Sequence, residues 1–232
     1  MRRYALYYAP PSDSLLWTAG VRWLGRDPET GATLAPPTVH GLAPARQRQL
    51  TEAARRYGWH ATLKAPFALG EGLSEEDLLA EVERFCARRG AFPLPPLVVG
   101  SLDGFLALVP AKPSGVLEQF AAECVEFFDP LRSPESPADR SRRDPASLSA
   151  RQREHLDRWG YPHVMDEFRF HMTLTERLTA ADNAVLLPWL ERWFAPALEV
   201  PVAADALAVF EEPARGASLR LIRRVPFAGG QA

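Results

Sequence analysis

The chain is poor in the features that would commit it to an unusual environment. It has two cysteines in 232 residues, Cys86 and Cys124, each inside an apolar helical pattern. A disulfide framework is thereby excluded, and packed, reduced thiols are expected. Charge of neither sign dominates: 27 Lys and Arg stand against 29 Asp and Glu, a formal net charge of −2. Such a surface lacks the basic field that a long phosphate backbone requires, which excludes a large nucleic-acid footprint but leaves open a local basic cleft for one small phosphate. No apolar run approaches the ~18 residues of a membrane span, and prolines at the end of MRRYALYYAP cut short any signal-peptide core. Dense Asp/His clusters with metal-ligand spacing are also missing, so no metal and no other cofactor is expected. These absences predict a soluble, cytoplasmic monomer whose partner is a small phosphorylated substrate, not long nucleic acid and not a membrane.

What is present is a core and a repeat. Hydrophobic residues make up 47% of the chain, enough apolar area to exclude disorder as the default. Residues 3–9 read as a strand closed by Pro10-Pro11. Helical spacing follows over 14–24, a Gly/Pro-rich loop over 27–37, and a second helix over 42–57 ended by Gly58. Residues 59–69 read as a strand. A helix then opens at Ser74 with Asp77 completing a capping box, and two strands, 92–100 and 104–109, join at Asp103-Gly104, a hairpin signal. A connecting helix is expected over 113–128 and another over 149–159. In the second half, 168–176 reads as a strand, 180–194 as a helix, and 198–202, 207–210 and 219–225 as strands. Laying His171 over His60 brings Phe170 over Trp59, Thr173 over Thr62 and Leu174 over Leu63 without a gap, and the following helices then coincide in order. The halves read as a duplication.

The chemistry-bearing residues sit on the superposed strands. In His60-Ala61-Thr62-Leu63 and His171-Met172-Thr173-Leu174, alternation along a strand sends His and Thr to one face and the apolar residues to the other. Two imidazoles and two hydroxyls around a shared space suit a phosphate ester. One His can act as base and the other as acid, and the Thr hydroxyls can donate to non-bridging oxygens. A single His-x-Thr is a weak signal. The pair, in matching contexts, is a much stronger one.

The two motifs resemble those of the two-histidine (2H) phosphoesterase superfamily, which includes RNA 2′,3′-cyclic phosphodiesterases and LigT-like proteins. The runs RYALYYAP, YGWHATLKAPF, WGYP and FRFHMTLTERL are similar to its branch associated with bacterial phosphonate-utilisation operons, and the likeness covers nearly the whole chain. The resemblance implies an α/β (α+β) fold, bilobal and duplicated, with two mainly antiparallel sheets flanking a central cleft and helices outside. On that reading residues 1–232 form one bilobal domain with lobes 1–112 and 113–232 and an insertion at about 130–160 that can act as a lid. It further implies hydrolysis of a cyclic phosphodiester, with His60 and His171 sharing the base and acid roles in an order set by the direction of substrate binding, His60 being assigned here as base and His171 as acid, and with Thr62 and Thr173 orienting the phosphate.

Further contacts are expected from Lys64, which by alternation shares the face of His60 and Thr62, from Tyr7 or Tyr8 on the first strand, and from Arg132 with the run Arg140, Arg142, Arg143 if the insertion folds over the cleft. His40, His155 and His163 lack the motif context and are assigned structural or surface roles. The substrate expected is small and ribose-containing or nucleotide-like. RNA-end 2′,3′-cyclic phosphodiesterase activity, a non-catalytic phosphate-binding module and a metal-dependent hydrolase are the alternatives.

Overall fold

The computed structural model describes residues 1–134 and 147–229; Arg140, Arg142 and Arg143 lie outside the described residues. The order is β1 (Arg3–Tyr8), α1 (Leu15–Leu24), α2 (Pro44–Leu50), α3 (Glu52–Tyr57), β2 (Ala61–Phe67), α4 (Glu75–Cys86), β3 (Phe92–Pro93), β4 (Leu97–Leu102), β5 (Phe105–Pro110), α5 (Gly115–Phe128), α6 (Ala150–Trp159), β6 (Met172–Thr173), α7 (Ala180–Leu198), β7 (Ala203–Ala204), β8 (Ala206–Glu212) and β9 (Arg220–Pro226), with single 3-10 turns at Asp129–Leu131 and Met165–Glu167. This is a mixed α/β fold: a seven-stranded sheet in the order β4-β5-β6-β2-β1-β8-β9 and a two-stranded β3-β7 ribbon, all pairs antiparallel.

The sheet interleaves the two halves of the chain. β6, from the second half, lies between β5 and β2 from the first, and β8-β9 extend the sheet beyond β1. A division at residue 112 therefore does not divide the sheet. The two antiparallel sheets are thus very unequal, a small β3-β7 ribbon and a large sheet that is continuous where Ala61 of β2 faces Met172 of β6.

Local chemistry explains most elements. The Ser74–Asp77 capping box opens α4, Ser149 and Gln152 form another at α6, and Gly160 closes α6 in the left-handed region. Asp103 (φ 48) and Gly104 (φ 90) make the tight turn that joins β4 to β5. Three expectations are corrected. The helix over 42–57 is two helices, because Thr51, with ψ near 2°, breaks it while its hydroxyl donates to the Gln47 carbonyl. The strand over 168–176 shrinks to Met172–Thr173, because the amides of Leu174 and Thr175 both go to the Leu106 carbonyl and the ladder stops there. The strand over 198–202 is displaced to Ala203–Ala204, because α7 runs through Pro196 to Leu198 with buried Phe194 and Ala197 anchoring the extra turn.

Behind the histidine strands the packing is dense. Trp59 is wholly buried and stacks on Phe194 of α7. Gly20 lets α1 press against it, since a Cβ there would lie 2.1 Å from the Trp59 ring. Trp23 Nε1–H donates to the Leu174 carbonyl at 2.8 Å, tying α1 to the second motif. Cys86 and Cys124 are free and buried, and burial pushes the Cys86 thiol up to about 11. No helix among the described residues is long and apolar enough to cross a membrane.

Candidate functional site

β2 and β6 bring the two His-x-Thr motifs side by side. With Ala61 opposite Met172, the antiparallel register continued one residue each way sets His60 against Thr173 and Thr62 against His171. Directly opposed residues share a face, so the four polar side chains stand together, with His60 and His171 on a diagonal of roughly 7–8 Å at the backbone. Ala61 and Met172 are completely buried on the other face, while the four polar residues remain partly open.

Both imidazoles are braced in the same way. His60 Nδ1 lies 2.8 Å from the Gly58 carbonyl and His171 Nδ1 lies 2.7 Å from the Arg169 carbonyl. A carbonyl only accepts, so in each ring Nδ1 carries a proton and Nε2 faces the site, with a lone pair when the ring is neutral and a second proton when it is an imidazolium. For His60 that lone pair accepts from the Thr62 hydroxyl at 3.2 Å. The Gly58 carbonyl is presented by a left-handed glycine (φ +86) at the end of α3, where a Cβ would lie 2.8 Å from Pro28 and 3.3 Å from Phe210. The brace thus needs glycine for both its dihedral and its space.

The surroundings differ. His60 is enclosed by Tyr7, stacked with ring centroids 3.8 Å apart, and by Tyr57 and Phe210 at 6.3 and 6.1 Å. Burial, against the opposing bond to Gly58 and with a smaller push from His171, lowers its pKa to about 4. His171 meets Phe105 edge-on at 5.8 Å. Its pKa is also lowered, first by burial, with His163 and Arg169 adding to the shift and the Arg169 carbonyl and Asp103 opposing it. A cavity of about 200 Å³ opens beside it, lined by Thr62, His171, Phe105, Tyr161, His163 and Arg169 among others. That volume is on the scale of a small molecule.

The remaining expected residues divide. Tyr7 joins the site. Tyr8 does not: it alternates to the opposite face, its buried hydroxyl has no partner, and it lines an apolar hollow with Pro10, Leu16 and Ala197. Lys64 also leaves the histidine face. Tyr7 pairs with Thr62 but Leu6 pairs with Lys64, so one extra residue in β2 forms a bulge and turns Lys64 away. Its ammonium instead donates to the Val125 carbonyl at 3.1 Å and pairs with Asp129 at 3.3 Å. Arg132 bonds Asp129 at 2.9 Å and the Arg158 carbonyl at 3.1 Å; it lines a neighbouring cavity and not the one at His171. Among the histidines, His40 is exposed. His155 is buried, not on an exposed helix face, and bonds Asp166 at 2.7 Å.

Sequence reasoning gave His163 a structural or surface role and did not single out Tyr57, Phe210 or Tyr161. Tyr57 and Phe210 carry no local motif; only the adjacency of Tyr161 to His163 in WGYPH, a Gly-Pro-punctuated loop with two ring-bearing polar residues, offered a signal. Among the described residues no group of three or more His, Cys, Asp or Glu could hold a metal ion.

A family model described as "Protein of unknown function (DUF1045)" matches residues 62–220. Two curated relatives bear the name Ribose 1,5-bisphosphate phosphokinase PhnN. The one from Janthinobacterium sp. (strain Marseille) is 42% identical over 233 residues, covering 99% of this chain and 51% of the relative. The one from Laribacter hongkongensis (strain HLHK9) is 40% identical over 223 residues, covering 96% and 51%. The chain spans about half the length of the curated relatives it matches. Among solved structures, a phosphoesterase aligns with TM-score 0.42 at 17% identity over 98% of this chain and 99% of the other. E. coli LigT complexed with 3′-AMP aligns with TM-score 0.40 at 16% identity over 97% and 98%.

Proposed function

We propose that this chain, which belongs to the DUF1045 family, is a metal-independent phosphoesterase that hydrolyses a cyclic phosphodiester of a small ribose-containing molecule. The observation that carries the reading is the matched pair of braces: each imidazole donates Nδ1–H to the carbonyl two residues before it, so both reach the same sheet face with Nε2 available.

The roles follow from the two environments. His60, lowered to about 4, is neutral at physiological pH and acts as base. Water attacks phosphorus, its proton passes to His60 Nε2, the bond from phosphorus to the ring oxygen breaks, and His171 Nε2–H protonates the departing oxygen. The product is a phosphomonoester, and proton exchange with solvent resets both rings. Thr62, which donates to His60 Nε2 in the free site, turns its hydroxyl to a non-bridging oxygen when substrate enters and so frees the base. Thr173 serves the other side. Tyr7 holds the plane of His60. The metal-independent reading is supported by the paired imidazoles themselves, which can supply both the base and the acid.

The ribose-containing class is supported by the cavity size and by the curated relatives' names, which mention ribose 1,5-bisphosphate. Their kinase activity draws no support from this half: the sequence has only two lysines, Lys64 and Lys112, neither in a Gly-Lys-Ser/Thr setting, so it lacks the usual lysine loop that grips nucleotide phosphates. The test is turnover, in the presence of EDTA, of a cyclic mononucleotide, a ribosyl cyclic phosphate and an oligonucleotide ending in a 2′,3′-cyclic phosphate. Preference for the small compounds is expected. Preference for the oligonucleotide would make the chain an RNA-end enzyme, and binding without turnover across the panel would make it a phosphate-binding module.

A further inference from the structure

A second cavity, of about 290 Å³, adjoins the first: Tyr161 lines both. It lies along β2 beyond the point where β6 ends, so that Thr62 lines the first cavity and Lys64 and Ala65 line the second. Two to three residues of strand separate them, roughly 7–10 Å. Four of the second cavity's lining residues are cationic, Arg3, Lys64, Arg132 and Arg215, and none of its described lining residues is acidic.

Among the described residues, the carboxylates behind this wall are shared. Asp129 is shared between Lys64 and Arg132. Glu212, wholly buried, is shared between Arg3 and Arg56. Among the described residues, Arg3, Lys64 and Arg132 of this wall thus draw on two shared carboxylates. Lys64 is itself nearly inaccessible, and its ammonium, which holds the Val125 carbonyl and the shared Asp129, gains from a further anion beside it. A phosphomonoester dianion matches both the cationic lining and the forked donors of the arginines.

We propose that the cavity bounded by Arg3, Lys64, Arg132 and Arg215 is a second anion subsite that takes a terminal phosphomonoester of the substrate whose cyclic phosphate lies between His60 and His171. The substrate is then a pentose with a cyclic phosphodiester at one end and a phosphate on its exocyclic arm, a span that fits the distance along β2. This assignment rests on the phosphoesterase reading, and its test separates the two.

The test compares two ribonucleoside 2′,3′-cyclic phosphates that differ only in a 5′-phosphate. The phosphorylated compound is expected to have a kcat/KM at least about tenfold higher, through KM, as one charge-assisted contact of ordinary strength provides. In the Lys64→Met, Arg215→Gln double variant the ratio of the two kcat/KM values falls toward one. Arg215 is exposed, so Arg215→Gln alone lowers the ratio in the same direction if the double variant does not fold. A ratio of one in the unaltered protein, or a ratio the variants leave alone, overturns the subsite. Calorimetric titration of ribose 5-phosphate into His171→Ala protein stands apart from catalysis: binding is expected, and Arg215→Gln weakens it. Such binding with no turnover of either cyclic compound keeps the subsite and sinks the phosphoesterase reading, whereas turnover with no such binding does the reverse.

Discussion

Tyr7 lies flat on His60, with ring centroids 3.8 Å apart and planes 22° from parallel. The stack joins the first strand of the chain to the first motif, because Tyr7 is also the backbone partner of Thr62. It removes water from one face of the imidazole, and desolvation of that kind disfavours the charged ring.

The pH dependence follows. His60 loses its proton near 4, so the acid side of the kcat/KM profile falls as pH drops through about 4. The alkaline side falls where free His171 loses its proton, below the ordinary 6.5 because its pKa is lowered. Replacing Tyr7 by Ser admits water, raises the His60 pKa toward 6.5 and moves the acid limb upward. An NMR titration of the His60 ring in both proteins checks this; an unchanged midpoint would remove desolvation as the cause.

The same shift couples to stability. Between about 4 and 6.5 the unfolded chain binds a proton at His60 that the folded chain refuses, so this ring makes folding more favourable as pH rises across that window and contributes nothing above it. Urea unfolding of wild type and His60→Gln at pH 5 and pH 7 should show a steeper gain for wild type.

Removing either imidazole should cost about 10²–10⁴-fold in kcat, the range for a positioned acid or base, while circular dichroism stays native. The double variant should lose much less than the product of the single losses, because the two rings act as a unit. Full activity in His171→Ala would end the two-histidine mechanism.

Gly58→Ala should unfold more readily by about 1–3 kcal/mol, the cost of strain at a position that requires positive φ and has no room for a methyl group. In the protein that still folds, kcat should fall more than KM rises, since the Gly58 carbonyl orients His60. Equal stability to wild type would refute the steric argument. EDTA, by contrast, should leave the rate of the unaltered protein intact; loss on chelation and recovery with a divalent cation would overturn the metal-independent scheme.

The motifs and much of the secondary structure were legible in the sequence, because alternation, capping boxes and the Asp-Gly turn are local. Ser74, Asp77, Asp103 and Gly104 act within a few residues of themselves. The interleaving of the halves was not legible, since nothing near Met172 says that its neighbours are Leu108 and Ala61. Tyr57 and Phe210 approach His60 from elements whose patterns speak only of helix and strand. Lys64 misled for a definite reason: alternation assumes an unbroken ladder, and a bulge is visible only from the partner strand.

That bulge gives β2 a change of parity. Upstream of it, even-numbered positions look toward the imidazoles; at Lys64 the even position looks toward α5. One residue more or less in seven would return the ammonium to the imidazole side and leave Asp129 with Arg132 alone. A single strand thus furnishes the walls of two adjacent chambers, and deleting Leu63 would be expected to merge their chemistries, not merely to shorten the strand.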